Sequence, residues 1–136
     1  MAKGSGKGNI RGITIELTAD TAGIMDGLKE INKELSATDK ALKDTNKLLK
    51  FDDSNVELLN QQQKYLRDAV EQTAEKLQKE KELLAQLQSA DNADETIEQQ
   101  NALKREIEAT SQKLAAYKTQ LHESKEKTSD ILSCRT

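Results

Sequence analysis

The side chains best suited to chemistry in this sequence are few and badly placed for it. His122 is the only histidine and Cys134 the only cysteine. A metal centre needs three or four convergent nitrogen, sulfur or oxygen ligands. His122 follows Leu121, a position on an apolar helix seam, so it falls on the outer face and reads as a surface residue. A nucleophilic cysteine needs a base and a shaped pocket, and the loose end expected for Ser133 to Thr136 offers neither. The pairs Asp52–Asp53 and Asp91–Asp94 match no calcium-loop spacing, and turns favour aspartate anyway. Gly4, Gly6 and Gly8 have no preceding strand and no following Lys-Ser or Lys-Thr, so they do not cradle a phosphate. The expectation is a protein that is not an enzyme, with no catalytic, cofactor or metal site.

Composition sets the elements that remain. Of 136 residues, 33% are charged, 35% hydrophobic and 2% aromatic, with no proline and no tryptophan. So few large apolar groups cannot fill a wide core, whereas helices sharing thin seams use them economically. Low hydrophobicity alone would suit disorder, and the regular heptads below argue against it. The 21 basic and 24 acidic side chains, net −3, are interspersed as on solvated helix faces. Lys104–Arg105 and Lys125–Lys127 have Glu106, Glu108, Glu123 and Glu126 close by, so no basic stripe awaits nucleic acid. No segment approaches the ~20 apolar residues of a membrane span, and no signal-peptide core appears. The lone Cys134 cannot form an intrachain disulfide, which suits a reducing compartment.

The pattern predicts an all-α fold, three long helices in antiparallel hairpins or a coiled coil, with one short N-terminal β-strand. Residues 1–9 read as a flexible tail and 10–18 as the strand, with Ile13, Ile15 and Leu17 alternating against polar neighbours. No second strand pattern follows downstream, so pairing with another chain is the favoured use of this one. Residues 19–132 form the helical domain, with helices at about 20–50, 54–88 and 95–132. The first seam runs Ile24, Leu28, Ile31, Leu35, Thr38, Leu42, Thr45 and Leu49. Asp20 or Thr21 caps it, Gly23 and Gly27 weaken its start, and Asp39 pairs with Lys43 at i,i+4.

The central seam alternates fours and threes through Leu59, Leu66, Val70, Leu77, Leu84 and Leu87, with Gln63, Thr73 and Glu80 in the remaining places. Ala69, Ala74 and Leu83 widen it. Ser54 with Glu57 fits a capping box, Phe51 is expected to pack in the corner, and Asn92 with Glu95 offers a second cap. A helix continuous through Asp52–Asp53 is the competing possibility. The last seam is Leu103, Ile107, Thr110, Leu114, Tyr117, Leu121, Ser124, Thr128 and Ile131, turning polar from Ser124, where fraying is expected. Tyr65 and Tyr117 lie at or beside seams. Polar seam residues mean either a locally weak coiled coil or selection of register.

The run Gly12-Ile-Thr-Ile-Glu-Leu17, the link with Asp20-Thr21, and a Leu/Lys-rich helix closing on Asn46-Lys-Leu-Leu-Lys-Phe-Asp52 carry a resemblance. So do Asn55-Val-Glu-Leu-Leu59, Gln61-Gln-Gln-Lys-Tyr-Leu66, and Leu103-Lys-Arg-Glu-Ile107 leading to Lys113-Leu114. Together, over about Ile10 to Leu121, they resemble the N-terminal region of tail tape-measure proteins from long-tailed phages and prophages of Gram-positive bacteria. The family often has a proline after the aspartate at the first corner, where Asp53 stands here. Its members also continue far beyond this length, so the chain looks like an N-terminal fragment or the product of a truncated prophage gene.

The resemblance implies a structural component of tail assembly, present in the host bacterial cytoplasm and then in the tail-tube lumen. Its implied partners are tail tube, tail assembly chaperone or tail-tip proteins, besides copies of itself associating through the seams. Fully helical, the chain would reach only about 200 Å, so an end or docking module is expected rather than the measuring rod. A cytosolic coiled-coil adaptor or chaperone-like module that grips clients between helix tips is the alternative.

Overall fold

The computed structural model describes residues 7–10, 12–16 and 18–134. Strands β1 (Lys7–Ile10) and β2 (Ile13–Glu16) precede helices α1 (Ala19–Leu49) and α2 (Val56–Ser89), a short 3-10 helix (Ala93–Thr96), and α3 (Ile97–Cys134). The all-α expectation of three long helices holds, and the N-terminal element is a hairpin rather than one strand. β1 falls where a tail was expected, because Lys7–Ile10 lacks the alternation that marks β2. The strands pair antiparallel, Ile10 opposite Ile13 and Lys7 opposite Glu16, across a two-residue connection. Gly12 supplies the left-handed backbone this tight turn requires, at φ 82°. Its N–H donates to Asn9 Oδ1 at 3.0 Å. The strand is thus paired within its own chain. Residues 1–6 of the tail expected over 1–9, and Leu17, lie outside the described residues.

α1 begins one residue earlier than expected and is helical through Gly23 and Gly27. Its cap is Thr18, in place of Asp20 or Thr21: Thr21 N–H donates to Thr18 Oγ1 at 3.3 Å and Thr18 N–H to Thr21 Oγ1 at 2.8 Å. That reciprocal pair is a capping box with threonine in both roles. α1 and α2 are separate helices. At the start of α2 the cap is Asn55, whose Oδ1 accepts Leu58 N–H at 3.0 Å, while Ser54 bonds Asp53 instead. Asn92 makes no side-chain cap. Gln100 closes that corner by donating to Ala93 O at 2.8 Å and Thr96 Oγ1 at 3.0 Å. α3 runs unbroken past Ser124 to Cys134, so Ser133 and Cys134 are helical rather than loose.

The chain divides into two compact units. The first holds the residues up to Asn32 together with Glu75–Gln112. Its core is Ile15, Leu28, Leu83, Leu87 and Leu103, with Ile24, Met25, Leu84 and Ile107 against it. The second holds Lys33–Ala74 and Lys113–Thr136, around Leu42, Leu66, Ala69 and Tyr117 with Tyr65, Val70 and Leu121. In each, α2 runs antiparallel to a piece of α1 and a piece of α3. Gly27 lies under the Lys79 side chain, whose Cε would stand 3.0 Å from a Cβ placed there. Gln62 reaches Asn46 of α1 and Ser124 of α3 within the second unit.

Candidate functional site

The seams are the most extensive feature the sequence assigns to function, and they close inside one chain. Leu28, Ile31, Leu42, Leu49, Leu59, Leu66, Leu87, Leu103 and Tyr117 are buried. Leu35, Val70, Leu77, Leu84, Ile107, Leu114 and Leu121 are half-buried. Ile15 is buried in the first core, whereas the side chain of Ile13 lies outside the described set. Two corrections concern α2. Leu83, not Leu84, is the fully buried member of its pair, and Ala74 is exposed. The reason is geometric: α2 serves two neighbours, so its apolar stripe broadens and rotates away from a strict two-position heptad seam.

Polar seam residues are satisfied to different degrees. Gln63 donates to Thr128 Oγ1 at 2.8 Å and to Ser124 O at 3.3 Å, while Ser124 Oγ donates to Gln62 Oε1 at 2.7 Å. Thr45 returns its hydroxyl to Ala41 O at 2.9 Å, the usual helical solution for a buried threonine. Tyr117 O–H donates to Asp39 Oδ1 at 3.4 Å, and burial together with that carboxylate raises its pKa. Asp39 also pairs with Lys43 at 3.2 Å, as expected.

Glu80 is different. It is 2% exposed in the first unit, and desolvation pushes its carboxyl up to about 7 against the opposing pull of Thr110 and Lys76. Glu106 raises it further while lying 3.8 Å from Lys76. Glu80 Oε1 and Thr110 Oγ1 both lack a hydrogen bond of ordinary geometry. Such a group could hold a proton near neutrality, yet it faces packed helix rather than an opening. A general acid or base needs reach to a substrate, so Glu80 reads as a structural group that responds to pH.

Two kinds of surface remain. In the first unit a cleft of about 620 Å³ lies beside β2, floored by Ile15 and Leu87 and rimmed by Glu16, Asp20 and Glu95. In the second unit Leu48 is 55% exposed and Phe51 91% exposed. Phe51 therefore does not pack in the corner. The turn ends α1 before the side chain can reach a helix face. Sequence reasoning misses both surfaces: the cleft depends on a hairpin whose first strand is weakly patterned, and a lone phenylalanine at a turn is expected to pack in the corner.

His122 is exposed and pairs with Glu126 on its own helix, at 3.1 Å. Cys134 is exposed. Among the described residues no group of three or more histidine, cysteine, aspartate or glutamate side chains could hold a metal ion, and no helix is long and apolar enough to cross a membrane. The chain matches no family model, no curated protein and no solved structure.

Proposed function

We propose that this chain is a non-enzymatic helical docking module of phage-tail assembly, an end piece of a tape-measure protein rather than its measuring length. The observation that carries the reading is the placement of Phe51 and Leu48. Both belong to the Asn46–Asp52 run that resembles the tape-measure family, and both stand in solvent at a helix corner. A large aromatic and a leucine exposed three residues apart, among Lys47, Lys50, Asp52 and Asp53, have the make-up of an anchor with a polar rim. Burying such an aromatic against a partner is worth roughly 1.5–3 kcal/mol.

The seams are filled within the chain, so association of copies is assigned to these outward residues and not to the leucine edges. Assembly would take place in the host cytoplasm, with the tail-tube lumen as the final location. The test is co-expression with the tail tube, tail-tip and tail assembly chaperone proteins of a Gram-positive prophage. Capture of one of them that is lost in Phe51→Asp, with helicity unchanged, supports docking at this corner. Capture of unfolded clients in place of tail proteins would instead favour a chaperone-like adaptor.

A further inference from the structure

The hairpin register decides which way the backbone of β2 points. In a two-residue hairpin the closing pair, Ile10 and Ile13, exchanges its hydrogen bonds inward, and so does the pair Gly8 and Ile15. Thr14 and Glu16 then turn their N–H and C=O groups outward, to the edge away from β1. The Gln99 amide reaches Thr14 O from that side, at 3.4 Å. Among the described residues no strand pairs with this edge. An edge that no strand covers is a template for another extended chain, which would take the place of the long Gln99 contact, and here it borders the cleft floored by Ile15 and Leu87.

We propose that this cleft is a peptide-binding groove in which a basic extended segment of a partner protein adds to β2 as a third strand. The volume, about 620 Å³, accommodates a few residues. The outward groups of Thr14 and Glu16 repeat every second residue, about 7 Å apart, which is the spacing of an incoming strand. Alternate side chains of that strand lie over Leu87 or beside Glu16. The described lining carries three carboxylates, Glu16, Asp20 and Glu95, and no lysine or arginine. That charge selects lysine or arginine at the polar positions and small aliphatic residues at the others. It also disfavours a second copy of β2, which would bring its own Glu16 to the same edge. The inference stands apart from the phage-tail reading, because any partner with such a segment satisfies it.

The test is fluorescence anisotropy on the full chain with a labelled, capped peptide alternating lysine and valine. Saturable binding that weakens with salt is expected, with a loss of about tenfold in each of Glu16→Lys and Glu95→Lys. Thr14→Pro removes one outward donor without touching the β1 ladder, and it should abolish binding while circular dichroism stays unchanged. Methylating the peptide's backbone nitrogens at alternate residues should do the same. Failure of the lysine peptide to bind overturns the proposal, and so does equal binding of the methylated peptide or of one alternating glutamate and valine. A dimer that Thr14→Pro dissociates would overturn it in favour of pairing between copies.

Discussion

The Gln63 side-chain amide on α2 donates to Thr128 Oγ1 on α3 at 2.8 Å, within the second unit. This bond sits where the α3 seam turns polar, and α3 stays helical there because the polar groups meet polar partners from α2. Gln63→Ala is expected to lower stability by about 1–2 kcal/mol, by deleting the bonds and leaving a gap. Gln63→Leu should recover most of that loss, since Thr128 keeps its bond to Ser124 O. Urea titrations of the three proteins check both.

Glu80 makes stability depend on pH in the direction opposite to a carboxylate held by a salt bridge, whose folded pKa is lowered. Its carboxyl titrates at about 7 in the fold against 4.5 as the ordinary value, so the native state holds the proton more tightly. The contribution is fully present below pH about 4.5 and is lost as pH rises through about 7. The difference corresponds to about 3 kcal/mol. Glu80→Gln removes the dependence and should be the more stable protein at pH 8. Melting curves of both proteins from pH 5 to pH 8 decide it.

Two leucines placed on equal footing by the heptad pattern should respond unequally. Leu66 is 1% exposed, and Leu66→Asp buries a charge without a partner, costing on the order of 4 kcal/mol or more. Leu114 is half-buried, so Leu114→Asp should cost about 1–2 kcal/mol and leave helicity detectable. His122→Ala should change stability by less than about 0.5 kcal/mol, because its pair with Glu126 is solvated. Circular dichroism with thermal melts reads all three.

Gly23 sits inside α1 with open space where a Cβ would go. Gly23→Ala should stabilise by up to about 1 kcal/mol through helix propensity alone. Thr18→Ala should cost about 1 kcal/mol by removing the cap. The two changes move the unfolding midpoint in opposite directions.

Helix number, antiparallel order and most of the core were legible because leucine and isoleucine at heptad spacing leave a helix only one face to bury. Leu28, Leu42, Leu66 and Leu103 follow that rule directly. What escaped the pattern was decided by neighbours. Leu83 displaced Leu84 because α2 packs against two helices, and Asn55 displaced Ser54 because the corner turned one residue later. β1 was hidden since a strand of lysine, glycine and asparagine is recruited by a two-residue turn and not by its own propensity. Neither candidate surface has a sequence signature, because one rests on the solvent exposure of Phe51 and the other on the register that orients the edge of β2.

Closure of the seams within a single chain underlies all of this, and dilution tests it most directly. Sedimentation velocity and far-ultraviolet circular dichroism, taken on the same samples down to concentrations at which only monomer sediments, give both readings at once. Helicity and melting temperature that stay constant in the monomer are the expected result. Helix content that falls as the chain becomes monomeric would mean that the leucine edges are completed by a second copy.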